Sequence, residues 1–215
     1  MGYNIKMKEQ LEIFDLEGKS LGLQDRQDFY DAIKKEFAST GKITKKVKTV
    51  RILIMNSQGR IYLQKRSNMK KENAGLYDKT VGGHISNTEA RTVTVTKECA
   101  EELGFPAAVL SPEEFDSSIK NLDLSVIGVL RQVDAQENFL SVRKEQSGEF
   151  IQPFISYFYI GYFDGHMRFK DGESSGLETF SLNELEVELQ KYPEKFTEDL
   201  KYMVKNYRNY LRPLN

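Results

Sequence analysis

A mixed α/β fold, with a central mixed β-sheet lying between helices, is the class this sequence predicts, and three features predict it. Two β-branched and aromatic runs, 124–133 and 151–163, have the composition of buried strands. A well-bounded helix occupies 89–103, between strand-like segments. No repeat, low-complexity stretch or Pro/Gly linker divides the chain, so a single domain accounts for all 215 residues. Within it, about 1–45 form an N-terminal extension, about 46–190 the core and about 191–215 a C-terminal helix.

Taken in order, residues 11–16 alternate weakly and end at Glu17-Gly18, a short strand and turn. Residues 25–37 place Phe29, Ile33 and Phe37 four apart, a helical stripe. Val50, Ile52, Ile54 and Met55 then run into the polar turn Asn56-Ser57-Gln58-Gly59, and Ile61-Tyr62-Leu63-Gln64 returns as a hairpin. Residues 67–72 are lysine-rich loop, and 76–81 a strand ending at Gly82-Gly83. The helix 89–103 starts at Ser86, with Glu89 completing a capping box, and stops at Gly104 before Phe105-Pro106. Residues 134–148 read as a loop long enough to act as a lid. Ser181 and Glu184 open a short helix. Leu200, Met203, Val204, Tyr207 and Leu211 mark an amphipathic terminal helix.

Composition removes several functions. Thirty-one basic residues face 32 acidic ones, so the basic excess that a nucleic-acid polymer or membrane surface attracts is missing. Cys99 is the one cysteine, which excludes an internal disulfide and fits a reducing compartment. The first twenty residues are charged throughout, Lys6 stands where a myristoylation signal wants Ser or Thr, and no run is long and apolar enough to span a bilayer. The expectation is a soluble, cytoplasmic protein.

Chemistry concentrates in 83–105. Glu98, Glu101 and Glu102 stand at i, i+3 and i+4, so a helix stacks three carboxylates on one face. Their repulsion costs helix stability, and a hard divalent cation with oxygen ligands offsets it. Glu89 can add a fourth carboxylate, and the carbonyl of Gly83, where no side chain blocks approach, a further ligand. Alone, the three glutamates read more readily as a solvated acidic face, Glu89 as a cap and Gly104 as a helix stop.

The whole pattern resembles the Nudix box, Gly-x5-Glu-x7-Arg-Glu-U-x-Glu-Glu-x-Gly-U with U apolar. Gly83, Glu89, Glu98, Glu101, Glu102 and Gly104 match, and Lys97 replaces the arginine. The resemblance implies a Nudix-type α/β/α sandwich in which the box is a loop–helix–loop, with Val95, Ala100 and Leu103 buried against the sheet. It implies Mg²⁺, with Mn²⁺ as a substitute, held by Gly83, Glu89, Glu98, Glu101 and Glu102. Glu98 is the preferred general base and Glu102 the second choice, while Lys97 stands where the family's arginine orients the carboxylates. Lysine keeps that charge and loses the planar fork. A catalytically silent member used as a ligand sensor is the alternative reading.

The likeness extends to Leu63-Gln64-Lys65-Arg66-Ser67, to Lys70-Lys71, to 74–84, and more loosely to 12–18 and 196–199. This resembles the branch containing isopentenyl-diphosphate isomerase. That isomerase has a cysteine where this chain has Gly82, takes metal ligands from several histidines where this chain has His84 and His166, and uses a tryptophan that this chain lacks. The hydrolase side of the branch remains, acting on a small-molecule diphosphate, with homodimers common among relatives. Lys65 and Arg66 become candidate phosphate contacts. His84 is a candidate substrate contact, although a structural hydrogen bond is the plainer role. Cys99 reads as a small buried hydrophobe, His166 as an exposed turn residue, and the aromatics of 157–163 mostly as core. Glu149 or Glu173 are candidates for a further acid, and 134–148 for substrate specificity.

Overall fold

The computed structural model describes residues 9–87, 89–146, 148–168 and 174–214. The chain opens with a hairpin, β1 (Gln10–Phe14) and β2 (Ser20–Asp25), and continues as α1 (Arg26–Thr40). Asp25 caps α1 by accepting from the Gln27 and Asp28 amides, and Gly41 ends it with a φ of 71° that favours glycine. Next come β3 (Lys46–Met55) and β4 (Ile61–Arg66), joined by the expected polar turn.

The strand expected over 76–81 is divided into β5 (Tyr77–Asp78), on β4, and β6 (Val81–His84), on β3. Thr80 explains the division. Its hydroxyl accepts from the Ile54 amide at 2.9 Å and donates to the Tyr62 carbonyl at 2.5 Å, satisfying both strands where they part.

After α2 (Arg91–Glu98) follow β7 (Ala107–Leu110), α3 (Pro112–Asn121), β8 (Gly128–Glu145), β9 (Gly148–Tyr162), β10 (Ser174–Phe180), α4 (Leu182–Lys191) and α5 (Glu198–Tyr207). The main path of the sheet runs β10-β4-β3-β9-β8-β7; β3 and β9 are parallel, as are β7 and β8, and the other pairings are antiparallel. The mixed sheet is therefore as expected.

Alternation along β3 organises the layers. Val50, Ile52 and Ile54 face α2 and meet Val95, Cys99 and Leu103. Leu53 and Met55 face the other way, in a cluster with Phe115 of α3, Leu185 of α4 and Leu200, Met203 and Val204 of α5. Phe29 and Ile33 bring α1 onto a third cluster with Leu11, Ile13, Val47 and Phe154.

Of the lid-like loop expected over 134–148, residues 134–145 are instead strand, since β8 and β9 stay paired from Val129↔Tyr162 out to Glu145↔Gly148. Bulges at Gln132/Asp134 and Gln136/Phe139 break the two-residue period there, so the polar run hid a strand. Four further elements, β2, β7, α3 and β10, also escaped the pattern. The capping box Ser111–Glu114 of α3 was a readable signal.

Candidate active site

The helix carrying the box begins later than its sequence implies. Its N-cap is Ala90, without a side-chain cap bond, and Ser86 contributes only its carbonyl, which accepts from the Glu89 amide at 3.0 Å. Glu89 turns inward instead, accepting from Thr94 Oγ1 at 2.9 Å and from Lys97 Nζ at 2.8 Å.

From Cys99 to Leu103 the helix widens into a π-helical turn and stops at Gly104, whose φ is 80°. Val95, Cys99 and Leu103, four apart, are the buried stripe. Ala100, expected to be buried, is exposed. It follows Cys99 directly, so it turns about a quarter of the way round the helix and out of the stripe.

Glu98 and Glu102 are the part-buried members of the acidic face, and Glu98 lies directly over β6. A methyl group on Gly83 would come within 1.7 Å of Glu98 Oε1, so glycine is what lets the carboxylate rest on that backbone. Glu102 adjoins Glu98 closely enough for their carboxyls to hydrogen-bond. Burial, followed by the charges of Glu101 and Glu9, pushes the Glu98 carboxyl above the usual range. Glu101 is exposed. Among the described residues the carboxylates are not gathered into a preformed cation cluster. The donor set nevertheless fits a hard cation: it is all oxygen, it packs against a bare backbone, and two of its carboxylates touch.

Lys97 Nζ reaches Glu89 and not the face with Glu98. It therefore fixes Glu89, while the Glu89 pair and then the nearby carboxylates raise its own pKa. His84 shares a 2.7 Å hydrogen bond with the Tyr30 hydroxyl, and burial with the nearby Arg26, Arg143 and Arg51 charges lowers its pKa to about 3. It is a neutral imidazole with a structural partner.

Arg66 spends its donors on the protein, giving two bonds to the Glu72 carbonyl and one to Asp78. Lys65 stands over the Tyr77 ring at 5.2 Å and borders a surface groove with Glu178 and Lys195. Neither is drawn to the carboxylate face by any of these contacts. Glu149 is exposed and pairs with Lys144 at 3.5 Å; Glu173 falls outside the described residues. Cys99 is fully buried, and burial raises its thiol to about 12, so it is an inert hydrophobe as expected.

Sequence reasoning missed a buried polar network on the opposite face of β3. Arg51, only 2% exposed, donates Nε to Ser156 Oγ at 3.1 Å and pairs through Nη1 with Asp199 of α5. Asp199 also accepts from Ser141 Oγ at 2.6 Å and lies 3.7 Å from Lys79 Nζ. Lys79 and Thr197 both donate to Asp78. The signal in the sequence was an arginine between Val50 and Ile52, in the middle of an apolar strand.

The same network closes the position where the isomerase carries its cysteine. A Cβ on Gly82 would lie 2.8 Å from both Lys79 Cε and the Val50 carbonyl oxygen.

Residues 45–200 match the family model described as NUDIX domain. The chain is similar to an isopentenyl-diphosphate Delta-isomerase of Serratia proteamaculans (strain 568), 27% identical over 146 residues that span 68% of each chain. Its fold is similar to that of DR0079 from Deinococcus radiodurans, with a TM-score of 0.61 and 18% identity over 92% of this chain and 98% of that one. It is also similar to the NUDIX domain of Shewanella oneidensis NrtR complexed with ADP ribose, with a TM-score of 0.50 and 15% identity over 83% of this chain and 98% of that one.

Proposed function

The chain belongs to the NUDIX family, and on that premise we propose that it is a divalent-cation-dependent hydrolase cleaving the diphosphate linkage of a nucleoside diphosphate derivative or similar small molecule. The observation that carries this reading is the Glu98 carboxylate resting on the backbone of Gly83, beside Glu102. Glu98, Glu102, Glu101 and the Gly83 carbonyl are the ligands for Mg²⁺ or Mn²⁺, with Glu89 held behind them by Lys97. A cation held by these residues would supply positive charge to offset the negative charge that develops on the diphosphate. Glu98 takes the proton from the attacking water, and the partial burial that raises its pKa makes it a better base. Glu102 is the alternative base.

An isomerase needs a cysteine side chain at Gly82, where Lys79 and the Val50 carbonyl leave no room. The test is phosphate release, with a coupled phosphatase, from a panel that includes nucleoside diphosphates, ADP-ribose, nucleotide sugars and dinucleotides, with Mg²⁺ and with chelator. Metal-dependent turnover of at least one compound is expected. Folded protein that binds a nucleotide but turns over none of them would favour a ligand sensor instead.

Two substitutions probe the site. Gly83→Ala places a methyl group where Glu98 Oε1 now lies, so the carboxylate must move by more than an ångström. Turnover is expected to drop about 10²-fold, the usual result of such a misplacement. Lys97→Met leaves Glu89 without its cation and is expected to weaken Mn²⁺ binding about 10- to 100-fold by titration, whereas Lys97→Arg keeps the pair.

A further inference from the structure

Behind α1 lies a buried polar layer that the box chemistry does not use. It separates the apolar cluster under α1 from the one under α5, and its members come from one face of β3, β8 and β9. Arg51 and Arg143 approach each other over the same ring, their guanidinium carbons 5.0 and 5.2 Å from the Phe154 centroid. Gln152, fully buried, lies two residues from Phe154 on that face, opposite Ser141.

Four buried polar atoms here make no hydrogen bond: Arg51 Nη2, Arg143 Nε and both Nε2 and Oε1 of Gln152. Gln152 interacts with the Tyr30 hydroxyl outside full hydrogen-bond geometry, while that hydroxyl shares a 2.7 Å hydrogen bond with His84. Arg143 Nε stands 3.8 Å from Glu72, beyond hydrogen-bond reach. Three of the four orphaned atoms are donors. Among the described residues the layer sets four cations, Arg51, Arg66, Lys79 and Arg143, against three carboxylates, Glu72, Asp78 and Asp199. One positive charge is therefore uncompensated, and two guanidinium groups share one ring.

A buried like-charge pair with idle donors is stabilised when an anion joins it. We propose that Arg51, Arg143 and Gln152 form an anion site for a phosphoryl group, with α1 as its cover. Phosphoryl oxygens accept from Arg51 Nη2, Arg143 Nε and Gln152 Nε2, and a protonated phosphoryl hydroxyl donates to Gln152 Oε1. The cover is fastened by two side chains of α1, Tyr30 to His84 and Lys34 to Glu145, the latter pair at 2.6 Å and part-exposed. Opening this edge exposes the layer. The site stands independently of the hydrolase reading, because it uses none of the box carboxylates.

The test is thermal melting in chelator at constant ionic strength, titrated separately with inorganic phosphate and with ADP, for wild type and Gln152→Leu. That variant keeps the charge and nearly the volume of the layer. Wild type is expected to gain stability with ligand concentration, and Gln152→Leu to bind at least about tenfold more weakly, as loss of a bond to a charged group implies. A response to inorganic phosphate assigns the site to the free anion; a response to ADP alone assigns it to the phosphoryl end of a nucleotide. If neither ligand stabilises wild type, or if Gln152→Leu responds equally, the proposal is overturned and the idle atoms serve the fold only.

Discussion

Glu98→Gln is expected to lower kcat by about 10²–10⁴-fold, the usual contribution of a positioned general base, while leaving the protein folded. Glutamine keeps the shape of the side chain over Gly83 but can neither accept the water's proton nor offer an anionic ligand. The effect on stability has the opposite sign. Burial and the charges of Glu101 and Glu9 raise the Glu98 carboxyl, so its ionised form is disfavoured in the folded state at neutral pH. A carboxyl raised on folding contributes stability that is fully present below its unfolded pKa, about 4.3, and is lost as pH rises through its folded value. The uncharged variant should therefore melt no lower than wild type in chelator at pH 7. Unchanged turnover in the variant would remove Glu98 from the mechanism, and a lower melting temperature would contradict its strained environment.

Asp199→Ala is expected to cost about 3–5 kcal/mol, because it leaves Arg51 buried and without its anion. For a chain of this length that lowers Tm by roughly 6–20 °C. Asp199 is 2% exposed and accepts from Ser141 as well, so water cannot take its place cheaply. Replacing both partners, as Arg51→Met with Asp199→Leu, should cost less than Asp199→Ala, because no lone charge remains. The same carboxylate sets an acid limit. Burial alone would raise it, but Arg51, Lys79 and Arg143 outweigh burial and hold it below the usual carboxylate range. Asp78 is likewise lowered, by Lys79 and Arg66 against its burial. Their contribution is fully present above about pH 4, near the unfolded value, and is lost as pH falls further. Wild type should lose stability over that acid range more steeply than the double variant, as urea midpoints taken at stepwise pH would show.

The box was legible because its chemistry is local. A helix places residues four apart on one face whatever else the chain does, so Glu98 and Glu102 could be paired from spacing alone, while the burial of Val95 and Leu103 was implied by the family resemblance. The hairpin into β4, the Ser181–Glu184 box and the terminal helix followed from equally short-range rules. Strand β8 did not, since bulges erase the two-residue period on which a strand is recognised. Ala100 was misplaced for a similar reason: the choice between neighbours on a helix depends on which turn meets the sheet.

What the sequence by itself determined about this protein is thus the family motif, the acidic helix face and the class of the fold. Only the tertiary structure decided that Lys97 serves Glu89, that Arg66 is committed to Glu72 and Asp78, and that His84 is neutral against Tyr30. Only it brought Arg51, Arg143 and Asp199 into one buried layer, from positions 51, 143 and 199. Charge interactions depend on distance and burial, and neither is encoded by spacing along a chain whose partners lie on different strands and helices.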